Sequence, residues 1–138
     1  MGRLLGIDHG DRRIGLALSD PIPMIASPLK TIIINSQDEA IEKILNIIVE
    51  YDVALVVVGK PIGLKGQETA QTKHVIKFAE DLVKNGVKIV FQDERLTSIS
   101  AKRFYREGGT KLRGKKELID ETAAAILLQQ YIDTNYSN

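Results

Sequence analysis

The sequence has no cysteine, no tryptophan and only 5% aromatic residues in 138. Without thiols there can be no disulfide, no thiol nucleophile and no cysteine-held zinc. Two scattered histidines, His9 and His74, do not make the cluster that an imidazole-bound metal needs, so any metal here would require oxygen ligands. A large charge excess is also missing: 19 Lys and Arg against 18 Asp and Glu leave a net +1, which by itself argues neither for nor against a polyanionic partner. No apolar run is long enough to span a bilayer, and no charged-then-apolar leader opens the chain, so no membrane partner and a cytoplasmic location are expected. What remains is ordinary globular composition, 43% hydrophobic and 27% charged. A chain of this length is expected to form one domain, residues 1–138, burying about 70% of its unfolded surface.

The apolar pattern predicts a mixed sheet. Residues 3–9 and 12–19 read as two strands around a turn at Gly10 and Asp11, and Leu29 to Ile34, after the Pro-containing loop Asp20 to Pro28, as a third antiparallel strand. Ser36 with Glu39 three residues on marks a helix start, followed by Ile41, Ile44, Leu45 and Ile48 on one face and an end near Tyr51. VALVVVG (53–59) has the unbroken apolarity of a strand covered on both faces. Helical spacing resumes at Val75, Ile76, Ala79, Leu82 and Val83, stops at Asn85 and Gly86, and gives way to a short strand at 87–91. This βαβαβ order requires right-handed parallel crossovers. A helix from about Ser98 to Arg106 and a last one from about Lys115 to Asp133 complete the expectation.

Two glycine spacings imitate a phosphate loop. Gly10 to Gly15 is followed by Leu16 and Ala17 instead of lysine and a hydroxyl, and Gly109 to Lys116 follows a helix and lacks the magnesium-binding Ser or Thr. The acidic residues carry more. Asp8 leaves the first strand, Asp93 and Glu94 leave the last, and Asp120 lies in the final helix. With the first strand central, these ends can meet under a packed helix and form an oxygen cage for a hard cation such as Mg2+ or Mn2+. Asp120 alone could be a helix-start acid, and Asp93 and Glu94 could pair with Arg95. Yet Asp120 shares helical spacing with Ala123, Ala124 and Leu127, small residues that allow close approach to a sheet. His9 should point away from Asp8 in an alternating strand and reads as structural. From Lys102 to Lys116 seven basic residues face one acid, Glu107, a pattern that on its own reads as a solvated loop.

The blocks LGIDHGDRRIGLALSD, VVVGKPIGLKGQE, FQDERLTSISA and IDETAAAILLQQYID together resemble the family of pre-ribosomal-RNA nucleases, also called Holliday-junction-resolvase-like proteins, of the ribonuclease H-like superfamily. The resemblance spans nearly the whole chain. It implies an α/β ribonuclease H-like fold, three antiparallel strands then two parallel ones flanked by helices, and a metal-dependent phosphodiesterase. Position by position it assigns catalytic and metal-ligating roles to Asp8, Glu94 and Asp120. Gly63 and Lys65 stand where the family usually carries Asn and Asp, and Ser98 where it usually has a second Thr. Cations bridged by Asp8 would activate a water and stabilise the leaving oxygen in an in-line displacement. Lys111, Arg113, Lys115 and Lys116, with Arg12 and Arg95, then read as phosphate contacts.

The substrate class expected is nucleic acid, structured RNA such as the precursor of 16S ribosomal RNA, or branched DNA. A two-lobed sugar-kinase or actin-like ATPase would need a longer chain. A non-cleaving binding module of the same fold would gain affinity for phosphate by losing the three carboxylates. An RNA-trimming enzyme can be a monomer, whereas a junction resolvase favours a two-fold dimer, so a monomer or weak homodimer is expected.

Overall fold

The strand that opens the chain sits at the centre of the sheet, and everything else is arranged around it. The structure is a computed structural model that describes residues 2–63, 65–93 and 116–136, of residues 116–118 the backbone alone. Its elements in chain order are β1 (Arg3–His9), β2 (Arg13–Ser19), β3 (Ala26–Ile33), α1 (Gln37–Glu50), β4 (Val53–Lys60), α2 (Ala70–Lys84), β5 (Ile89–Asp93) and α3 (Lys116–Asn135). The five strands form one sheet in the order β3-β2-β1-β4-β5. β1 pairs antiparallel with β2 and parallel with β4, and β4 pairs parallel with β5, as expected. The helix expected over residues 98–106 lies outside the described residues.

Alternation along β1 divides the interior into two cores. Leu5 and Ile7 join Ile14, Leu16, Val56, Val58 and the inner faces of α1 and α2, where Ile44 and Phe78 are fully buried. Leu4 joins Ala17, Val57 and the α3 residues Ala124, Leu127 and Leu128 on the other face. Gly6 and Asp8 share the parity of Leu4. A Cβ at Gly6 would stand 2.9 Å from Leu128 Cβ and 3.0 Å from the Ala124 carbonyl oxygen, so this glycine sets how closely α3 lies on β1.

Element ends differ from expectation where local hydrogen bonding overrides the apolar pattern. β3 starts at Ala26, three residues before Leu29, and carries Pro28 opposite Ala17 beside a register shift between Leu16 and Ala17. β3 is an edge strand, where a missing N–H and a bulge are tolerated. α1 begins as the sequence predicts, with the Ser36 side chain accepting from the Glu39 N–H at 3.2 Å. α2 begins well before Val75, because Thr69 and Thr72 form a reciprocal capping box. Of the residues at its helical spacing, Val75, Ala79 and Leu82 are buried, whereas Val83 is 54% exposed. β5 begins at Ile89 and not at Val87, because the Val87 N–H turns back to the Leu82 carbonyl at 3.2 Å, after Gly86 at φ +85° has ended the helix. Among the described residues no helix is long and apolar enough to cross a membrane.

Candidate active site

Parallel pairing puts the C-terminal ends of β1, β4 and β5 at one edge of the sheet, and Asp8 is the penultimate residue of β1. It is half-buried and lies on the face covered by α3. Its partner across the hairpin is Gly15. Over Gly15 the backbone of α3 comes so near that a Cβ there would overlap the Asp120 carbonyl group. That approach lowers the first turns of α3 onto β2 and brings Asp120 to the cleft that Asp8 lines. The cleft has a volume of about 530 Å³, and Asp11, Arg12, Arg13 and Gln71 also line it.

The structure therefore brings together two of the three expected carboxylates, Asp8 and Asp120, and one expected cation, the exposed Arg12. Glu94, Arg95, Lys111, Arg113 and Lys115 lie outside the described residues, and Lys116 is described only as the first residue of α3. Asp93 ends β5 opposite Lys60. The register puts both in the row of His9, on the α1 and α2 side, while Asp8 is level with Gly59 and Gln92 on the α3 side. In the loop after β4, the Gln67 side chain fills the place a side chain at Gly63 would take and accepts the Lys65 N–H at 3.0 Å.

Arg13 and Gln71 are cleft residues the sequence reading missed. The Arg13 Nε donates to Asp120 Oδ2 at 2.6 Å, with the two side chains 37% and 22% exposed. Strand parity carries the missed signal: Arg13 is two residues before Gly15, hence on the α3 face, whereas Arg12 falls in the turn. Gln71, in the first turn of α2, donates from Nε2 to the His9 carbonyl at 3.0 Å and so ties the end of β1 to α2.

His9 is turned away from Asp8, as alternation requires. Its ring is buried at 4.5 Å from Phe78, and neither nitrogen has a hydrogen-bond partner among the described residues. Burial lowers its pKa from the ordinary 6.5, an effect larger than the opposing charge of Asp11. His9 is thus a neutral packing residue at neutral pH.

Among the described residues no three His, Asp or Glu side chains gather closely enough to hold an ion. Of the three carboxylates assigned from sequence, Asp8 and Asp120 line the cleft, beside Asp11, and Glu94 is not among the described residues. Oxygen donors on a solvated cleft fit a hard divalent cation, which keeps several waters and needs few protein ligands. One cation already sits on Asp120 in the form of the Arg13 guanidinium, so a metal ion at this carboxylate would have to share or displace it.

A central β1, an antiparallel β1–β3 meander, parallel β4 and β5, and an acid-bearing helix across the meander define a ribonuclease H-like α/β domain. The same fold is found in Thermus thermophilus RuvC bound to a Holliday junction, with a TM-score of 0.62 at 14% identity over 99% of this chain and 98% of that one. The chain belongs to the RuvX family, described as Holliday junction resolvase, which matches residues 2–134, and with it to the nucleases, hydrolases of phosphodiester bonds. Two relatives each carry the name "Putative pre-16S rRNA nuclease". One, from Sulfurihydrogenibium sp., is 38% identical over 99% of both chains. The other, from Caldanaerobacter subterraneus, is 44% identical over 96% of both.

Proposed function

We propose that the chain is a single-domain, divalent-metal-dependent endonuclease that processes the precursor of 16S ribosomal RNA. The observation that carries this reading is the convergence of Asp8 and Asp120 on one cleft, held there by the close approach of α3 to Gly15. Asp8, Glu94 and Asp120 would hold the metal, Mg2+ or Mn2+, whose chemistry is to acidify a water and stabilise the leaving oxygen. Arg12, Arg95, Lys111, Arg113, Lys115 and Lys116 would position the phosphate backbone. No side-chain nucleophile is required. The named substrate of the relatives supports RNA. The description of the family supports a second reading, cleavage of branched DNA. Cytoplasmic location and a monomer or weak homodimer accord with RNA trimming.

The test is cleavage of labelled RNA and DNA, single-stranded, duplex and four-way, with manganese or with excess chelator. Manganese-dependent cleavage of the precursor RNA that is lost in chelator is expected. Undiminished cleavage in chelator would overturn the metal centre, and cleavage confined to four-way DNA would replace RNA with the second reading.

A further inference from the structure

Arg13 makes a bond that a metal centre at Asp120 cannot leave untouched. Its Nε–H occupies Asp120 Oδ2 at 2.6 Å. A carboxylate oxygen engaged so closely by a guanidinium has less lone-pair density for a cation, and the guanidinium charge repels any divalent ion approaching the same oxygen. Neither partner is locked in the core, since 37% of the Arg13 side chain and 22% of that of Asp120 remain exposed. The arginine is also anchored where exchange is easy. It is the first residue of β2, beside the Gly10–Arg12 turn, and its long side chain lines the same cleft as Arg12.

We propose that Arg13 is an internal cation that occupies Asp120 until metal displaces it, so that Arg13 competes with the divalent ion for that carboxylate and on release faces the phosphate entering beside Arg12. This rests on the metal-centre reading above. Asp120 then holds a cation in both states. Its carboxylate is kept over Gly15 before metal arrives, and the Arg13 guanidinium leaves it only once the cleft is loaded. The exchange is purely ionic, with no bond made or broken beyond the hydrogen bond.

If Arg13 merely positioned Asp120, its removal would weaken metal binding; as a competitor, its removal strengthens it. Manganese binding is measured by calorimetry on the wild-type protein, Arg13→Gln, Arg13→Lys and Asp120→Asn. Arg13→Gln should bind manganese at least about fivefold more tightly, within the usual range of coupling between linked sites. Arg13→Lys, which keeps the charge, should return towards wild type. Equal or weaker binding by Arg13→Gln, with wild-type binding intact, overturns the competition alone. Failure of the wild type to bind manganese, or Asp120→Asn binding as well as wild type, removes the metal centre and the competition with it. A second measurement does not depend on a variant folding. In the 15N spectrum of wild-type protein the Arg13 Nε–H resonance should shift on adding magnesium, with the midpoint found for magnesium binding by calorimetry. A resonance unmoved at saturating magnesium also overturns the proposal.

Discussion

The Asp120 carbonyl group lies where a side chain at residue 15 would stand, so a bare backbone at Gly15 is a condition for the helix to deliver its carboxylate. Gly15→Ala should lift the start of α3, destabilise the protein by about 1–3 kcal/mol or more, and reduce cleavage beyond what the lost folded fraction explains. Gly6→Ala is the comparison. It too meets α3, at Ala124 and Leu128, but farther along the helix from Asp120. It should cost stability with less loss of cleavage per folded molecule. Thermal melts and single-turnover rates on both variants check this.

The carboxylates should separate activity from stability. Asp8→Asn, Glu94→Gln and Asp120→Asn should each lower cleavage by orders of magnitude, and Asp93→Asn should cost far less because its row faces α1 and α2. From sequence alone, an amide at any of the three would be expected to relieve repulsion and leave the metal-free protein at least as stable. The Arg13 pair changes that for one of them. Asp120→Asn removes the 2.6 Å ion pair with Arg13 and should lose up to about 1 kcal/mol, a modest figure because both groups are partly solvated. Denaturant melts without metal report this directly.

His9 should make stability depend on pH. Its folded-state pKa is lowered by burial, so below its ordinary 6.5 the unfolded chain takes up a proton that the native state refuses. Stability is therefore fully present above about pH 6.5 and falls as pH drops from there towards the lowered folded pKa. His9→Leu should abolish this slope. At pH 7 it should be neutral or stabilising, since it replaces two buried nitrogens that have no partner among the described residues with apolar surface against Phe78. Melting temperature across this range, for both proteins, is the measurement.

The basic residues should act through salt. Replacing Lys111, Arg113, Lys115 and Lys116 with Ala should weaken binding to all sequences alike and flatten the log–log salt dependence by about 0.7–0.9 per lost phosphate contact. An unchanged slope in filter-binding titrations would remove that loop from the interface.

How legible the fold was depended on whether side-chain pattern or backbone hydrogen bonding decided each element. β1, β2, β4 and the start of α1 follow apolar runs and a serine cap, and their limits agree with the sequence to within a residue. β3, α2 and β5 do not, because Pro28 hides an edge strand, Thr69 and Thr72 start a helix on polar residues, and Val87 is captured by the preceding helix. At the site, the union of Asp8 and Asp120 was readable from the central first strand and the alanines after Asp120. The Arg13 contact was not, although strand parity alone favours it over Arg12. As cations the two arginines look alike, and parity becomes informative only once α3 is known to cover that face of β2.

The last helix completes the first strands, and this has a consequence for biosynthesis. Ala17 on β2 and Leu4 on β1 find their cover in Ala124, Leu127 and Leu128. Nearly 100 residues separate the end of β2 from the start of α3. At roughly 5–20 residues per second the nascent meander waits on the order of 5–20 s for its lid, showing an apolar face to whatever surrounds the ribosome. Chains cut short before residue 116 would never cover it. They should gather chaperones or aggregate, even though every strand of the sheet has been made.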